Sequence, residues 1–326
     1  MATYKEIHGT NIEVLASDPS NPVEGQIWYN TTSNVLKGQA TTAAGAWATG
    51  NSMNTARDIA GAGIQTAALG FAGYSPPAIY QALTESYNGT NWTEVNDLNL
   101  GRAYVGGAGI QTAALAFGGF TFPPPTNRAE TETWNGTNWT EVNNLNTARR
   151  EIGGSGTNTA ALAWGGSPPG TTAITESWNG TNWTEVNDLN TAVTSKYGSG
   201  IQTATLAYGG KSAVTAVIGA TESWNGTNWT EVNDLNTARR DVSSSIGTSN
   251  TSALAAGGYT TTYVAVTEEY NGTNWTEVAD ISTARSASGG VGTVSAGLVF
   301  GGVPYTTATE AWTGAGAAVT RTFTDS

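Results

Sequence analysis

The stretch Thr131-Glu-Thr-Trp-Asn-Gly-Thr-Asn-Trp-Thr-Glu-Val-Asn-Asn-Leu-Asn-Thr-Ala-Arg149 occurs five times, nearly letter for letter, along the 326 residues. Its second tryptophan falls at Trp92, Trp139, Trp183, Trp229 and Trp275, in steps of 47, 44, 46 and 46 residues. Counting back by the same interval reaches Trp47, and Arg57 follows it at the offset seen in the other copies, so a sixth, degenerate copy opens the series. A period of this length gives one small sheet per repeat, and such sheets pack side by side as a propeller or a solenoid.

Outward from the phrase, the unit from Arg149 to Val186 holds four candidate strands. Residues 150–156 are small and Gly-rich, as an inner strand crowded around an axis must be. Residues 159–164 form a short apolar strand ended by Gly165-Gly166, and a Pro-containing loop follows at 167–172. Residues 173–178 and 183–186 then read as a hairpin around Asn179-Gly-Thr-Asn182, because Asn and Gly tolerate positive φ at little cost. The unit is therefore expected to be a four-stranded antiparallel sheet.

Composition agrees with an all-β chain. Only 12% of residues are charged, 38% are hydrophobic and 42 are glycine. A net charge of −12 leaves no basic footprint for nucleic acid or an anionic membrane surface. The absence of cysteine excludes disulfides, thiolate metal sites and cysteine nucleophiles. The N-terminus lacks the apolar core of a secretory signal, and no run of 18 apolar residues could span a bilayer. If the protein acts outside a cell, it is expected to get there without the general secretory route.

The repeated residues resemble those of the kelch-repeat propellers. The shared features are the double glycine ending the second strand, at 118–119, 165–166, 209–210, 257–258 and 301–302, with Ala72-Gly73 as a variant. They extend to the aromatic of the third strand (Tyr87, Trp134, Trp178, Trp224, Tyr270), the Trp opening the fourth, and the Arg at the start of the next unit. Two units depart: Val193 replaces the Arg in one, and Ala317 stands where the last Trp would be. At the ends, Trp47 with Arg57 supplies only an outermost strand, whereas residues 286–314 supply inner strands without a Trp-bearing fourth. The resemblance implies one blade made from both termini, hence a six-bladed propeller at 43–326 closed by strand exchange, with residues 1–42 as an N-terminal arm.

The repeated Trp residues could stack on sugars, but the same strand position in every unit suits packing between sheets. Glu85, Glu132, Glu176, Glu222, Glu268 and Glu310 could form a carboxylate ring for a cation; solvated or locally hydrogen-bonded positions are the plainer reading, and no metal or cofactor is expected. Asp97, Asp188, Asp234 and Asp280 fit turn capping. Each Asn-Gly-Thr-Asn-Trp-Thr also holds two adjoining glycosylation sequons, such as those at Asn88 and Asn91, which coincide with a turn that needs these residues anyway. His8 is the only histidine, so a Ser-His-acid triad or a His-rich metal site is excluded from the repeats. No catalytic residue is assigned, although two carboxylates brought together by loops would suffice for a glycosidase.

One segment of the unit varies while the rest is copied, and it follows the double glycine: 74–80, 120–128, 167–170, 211–218, 259–263 and 303–305. In a four-stranded blade all six of these loops fall on one face. They bring Tyr and Phe stiffened by Pro, a composition suited to recognition at low entropic cost. Tyr80, Phe120, Phe122, Arg128, Tyr263 and Tyr305 are the expected ligand contacts.

Residues 1–42 do not match the unit. Within them Gly25-Gln-Ile-Trp-Tyr-Asn-Thr-Thr32 resembles stretches of phage virion proteins, particularly tail fibres near their attachment regions. The resemblance implies attachment through Ile27, Trp28 and Tyr29 to other virion structural proteins, and a virion location reached by assembly in the host cytoplasm and release. The expected function is a non-enzymatic phage virion appendage, a tail-fibre-like adhesin or a capsid-surface decoration, that binds host surface glycan or protein. A kelch-type protein–protein interaction scaffold outside any virion is the alternative, and a carbohydrate-active enzyme the third.

Overall fold

A computed structural model describes residues 12–20, 22–23, 25–41, 44–77, 79–168, 170–213, 217–243, 246–316 and 318–323. His8 and Ala317 lie outside the described residues. Every regular element among those described is a β-strand, and most of the sheets are four-stranded and antiparallel. The chain divides into two compact units, one comprising the residues up to Gly45 with those from Gly314 onward, the other Ala46–Thr313.

In the larger unit the repeat read from the sequence becomes a sheet. Gly153–Gly156, Ala161–Trp164, Thr175–Trp178 and Trp183–Val186 pair in that order, with Trp178 opposite Trp183 across the hairpin. Asn179 Oδ1 accepts hydrogen bonds from the N–H groups of Thr181 and Asn182, and Gly180 has a φ of 90°, so the Asn-Gly pair closes the turn as its chemistry requires. Asp188 Oδ1 caps the start of the third strand by accepting from Thr175 N at 3.0 Å; Asp97, Asp234 and Asp280 do the same in their own units. The same order of strands recurs for the units around Trp92, Trp139 and Trp229. Around Trp275 three strands are regular, and the segment before them runs alongside through Ser243 N to Ala256 O and Leu254 N to Ile246 O. The last sheet combines Gly289–Gly292, Ala296–Phe300 and Thr309–Thr313 with Ala46–Gly50, which sets Trp312 opposite Trp47.

The inner strands crowd one another. Ala60–Ile64 lies against both Gly106–Ile110 and Gly289–Gly292, and Gly153–Gly156 lies against Gly106–Ile110 and Tyr197–Ile201. A side chain at Gly154 would meet Gly107 O at 2.8 Å and the Phe117 ring at 2.6 Å, which is why small residues were needed there.

Between sheets, the phrase tryptophans form the core. Trp139, Trp183, Trp229 and Trp275 are buried and meet Phe71, Phe117, Trp164 and Tyr208 of the preceding sheet at centroid distances of 5.1, 5.0, 5.7 and 5.0 Å. Their indole N–H groups donate to the hydroxyls of Thr84, Thr131, Thr175 and Thr221 in the preceding sheet. Trp92 follows the same rule toward the last sheet, meeting Phe300 at 4.7 Å and donating to Thr309 Oγ1. Each buried ring of this size contributes roughly 1.5–3 kcal/mol or more of hydrophobic stabilisation.

The repeated glutamates are buried rather than solvated. Each pairs with the cation that opens its unit: Arg57 with Glu85 at 2.6 Å, Arg102 with Glu132 at 2.5 Å, Arg149 with Glu176, Arg239 with Glu268, and Arg285 with Glu310 at 2.7 Å. The second carboxylate oxygen is used as well, since Glu176 Oε2 accepts from Asn146 N and Nδ2 of the preceding linker. These carboxylates are consumed by the scaffold. Val193 stands at the Arg position in one unit, yet no pair is lost there. Lys196, three residues further on, reaches Glu222 at 3.2 Å from a buried position, where desolvation holds its pKa down.

The smaller unit is a sheet of its own. Glu13–Leu15 runs parallel to Ile27–Asn30, which pairs with Val35–Thr41, and Val35–Thr41 pairs in turn with Ala318–Phe323 from the far end of the chain. Asp18 organises it. It accepts from Trp28 Nε1, Asn30 Nδ2 and Lys37 Nζ, and these partners, Lys37 foremost, hold its pKa down to about 2.

Candidate functional site

The residue two places after the repeat Arg position, which Val193 fills in one unit, has positive φ in five units: Tyr104, Glu151, Ser195, Asp241 and Ala287, with φ between 50° and 58°. Non-glycine residues adopt this conformation only where their surroundings enforce it. Here a belt of backbone hydrogen bonds does so. Glu151 N donates to Tyr104 O, Ser195 N to Glu151 O, Asp241 N to Ser195 O, Ala287 N to Asp241 O, and Ile59 N to Ala287 O, at 2.8–3.3 Å. The belt brings the side chains of sequence-distant units together around one opening.

That opening is a depression of about 350 Å³, open to solvent, lined by Asp58, Tyr104, Glu151, Asp241, Tyr263 and Tyr305, among others. A volume of this order accommodates a ligand the size of a sugar ring or larger. A narrower cavity beneath it reaches Tyr197 and the inner-strand glycines and shares Asp58 and Tyr104.

Aromatic rings form much of the rim. Tyr74 contacts Tyr80 at 5.3 Å and Tyr305 at 5.8 Å, Tyr80 contacts Phe120 at 5.8 Å, and Tyr259 contacts Tyr263 at 5.4 Å. Arg150 lies over the Phe120 ring and Arg240 over Tyr259, with centroid distances of 4.5 and 4.7 Å. Of the expected contacts, Tyr80, Phe120 and Tyr305 are thus drawn together through Tyr74, and Tyr263 joins Tyr305 on the depression. Phe122 and Arg128 sit further out. Phe122 is 52% exposed in the turn between strands Ala113–Thr121 and Thr126–Trp134, while Arg128 is held by Thr121 Oγ1 and Glu130.

The carboxylates are the part that sequence reasoning missed. Burial pushes Asp58 up to about 7, helped by the nearby charge of Asp241. Asp241 is pushed up to about 6 by burial and by Glu151, against the pull of Arg240 at 2.6 Å. Desolvation also raises the hydroxyls of Tyr104, Tyr197 and Tyr305, the last to about 12. At neutral pH the tyrosines therefore act as neutral hydrogen-bonding groups and the centre carries negative charge. A signal existed in the sequence, because the position after the cation and its neighbour differ between units as strongly as the loops do.

Among the described residues no group of three or more His, Cys, Asp or Glu side chains is arranged to hold a metal ion. In the smaller unit, Trp28 is fully buried with its N–H on Asp18, while Ile27 and Tyr29 on either side of it are half-buried. Comparison with known families and with curated proteins gives no match to this chain.

Proposed function

We propose that this chain is a non-enzymatic virion appendage that recognises a surface glycan of its host through the tyrosine-rimmed depression. The larger unit is read as a six-bladed, kelch-like propeller closed by strand exchange. Three contacts between its two ends support that reading: Ala46–Gly50 completes the last sheet, Ile59 N donates to Ala287 O, and Trp92 Nε1 donates to Thr309 Oγ1. The observation that carries the binding role is the convergence of Tyr80, Tyr74, Tyr305 and Tyr263 with the buried Asp58 and the half-buried Asp241 around one opening. Flat aromatic faces bury the apolar faces of sugar rings, and carboxylates accept from their hydroxyls. The Ile27-Trp28-Tyr29 strand and the C-terminal strand belong to the docking unit, which attaches the chain to other virion proteins.

A glycan array probed with the full chain tests the binding role. Binding to a restricted set of glycans is expected, and no binding to any of them would contradict it. Adjacency of the coding sequence to portal, capsid or tail genes tests the virion role. A second reading, a carbohydrate-active enzyme, draws on Asp58 and Asp241, since carboxylates raised toward neutrality suit acid–base work. Release of reducing sugar from a bound glycan would favour it over pure recognition.

A further inference from the structure

We propose that the ligand of the depression presents a protonated amine on a sugar ring, with Asp58 as its counter-ion and the tyrosine rings as its walls. The inference rests on the reading of the depression as a glycan site and narrows its ligand.

A one-residue deletion sets the first unit apart from the others. In four other units the N–H after the second glycine donates to a backbone carbonyl: Phe120 N to Ala103 O, Ser167 N to Arg150 O, Tyr259 N to Arg240 O and Val303 N to Ser286 O. The first unit is one residue shorter between its Arg and its inner strand, and there Tyr74 N donates to Asp58 Oδ1 instead. The carboxylate stands in for a carbonyl. An asparagine would supply the same oxygen without charge, so the architecture needs the acceptor and has no use for the anion.

The anion is costly where it sits. Asp58 is 4% exposed, and a buried carboxylate requires a cation or a proton. The cations near the depression are committed elsewhere: Arg57 to Glu85, Arg240 to Asp241, and Arg150 to Glu151 at 3.6 Å. Asp58 is therefore the carboxylate of the depression that lacks an ion-pair partner among the described residues. Its second oxygen makes no hydrogen bond there, and the residue lines both the depression and the smaller cavity that shares it.

Ser286 also lines the depression, with a hydroxyl that makes no hydrogen bond among the described residues. With Tyr104, Tyr263 and Tyr305 around them, the free carboxylate oxygen and the hydroxyl offer acceptors for an ammonium group and ring faces that attract a cation.

Calorimetric titration of the full chain with 6-amino-6-deoxyglucose, glucose and glucuronate tests this, since one ring then carries a cation, a hydroxyl or an anion. The amine is expected to bind at least about tenfold tighter than glucose, with glucuronate weakest. Asp58→Asn keeps the bond to Tyr74 and should erase the advantage of the amine, so that the variant binds the amine and glucose within about twofold of each other. A cooperative thermal unfolding transition shows that the variant is folded. Equal affinity for amine and glucose, or an amine advantage that survives Asp58→Asn, overturns the inference and leaves the glycan site standing. Failure of all three sugars to bind overturns both.

Discussion

Glu176 and Asp58 are both buried carboxylates, but they sit in regions governed by opposite rules. In the seam between sheets, Glu176 has Arg149 on one oxygen and Asn146 on the other, and the arrangement is copied from unit to unit. At the central depression, Asp58 occurs once and has one backbone partner and no ion-pair partner among the described residues. The seam gives each of its buried carboxylates a cation, whereas the depression leaves one carboxylate without an ion-pair partner among the described residues. A carboxylate left over on a frame whose own carboxylates are paired is what recognition of a cationic group requires, and copied residues do not provide it.

The comparison breaks if the seam proves dispensable. Arg149→Met, which leaves Glu176 buried without its cation, is expected to cost about 3–5 kcal/mol in urea unfolding, and Lys196→Met the same through Glu222. A loss below about 1 kcal/mol in both would mean the pairs are incidental. Trp183→Ala should cost a similar 3–5 kcal/mol by opening a cavity beside Phe117. Deleting Ala46–Gly50 removes the outer strand of the last sheet and should lower the melting temperature of the whole larger unit; an unchanged value would refute closure through the termini.

Asp58→Asn should act in the opposite direction. The folded pKa of Asp58, about 7, lies above its unfolded value near 4, so the folded state holds the extra proton between these limits. Stability attributable to this group therefore falls as pH rises from about 4 to about 7, and the full penalty persists above that. Asp58→Asn is expected to stabilise the protein by on the order of 1–3 kcal/mol above pH 7 and to have no effect below about pH 4. A destabilised variant at high pH would show that the charge is structural. The smallest effect on stability, within about 0.5 kcal/mol, is expected for Tyr305→Ser, whose side chain is exposed at the rim.

The seam was legible in sequence because repetition exposes it: Trp at a fixed offset, Asn-Gly at the turn, double glycine at the strand end. The glutamates were misjudged because their burial depends on an Arg about 30 residues earlier, and alternation within Thr175-Glu-Ser-Trp178 does not reveal which face a neighbouring unit covers. Lys196 was missed since it reaches the same point from a different backbone position. Likewise Ala318–Phe323 matches no repeat, and its pairing with Val35–Thr41 joins segments from opposite ends of the chain. Variable loops pointed to Tyr80, Phe120, Tyr263 and Tyr305, but Asp58 owes its position to a deletion whose consequence appears only when the backbone hydrogen bonds of the units are aligned.

The central claim is that recognition resides in the depression and its rim and stability in the copied frame. Glycan-array binding and thermal unfolding of a single Tyr80→Ser, Phe120→Ser, Tyr305→Ser triple variant test it most directly. Loss of binding with a melting temperature within a few degrees of the parent is the result predicted. Binding that persists in the folded variant would contradict the claim.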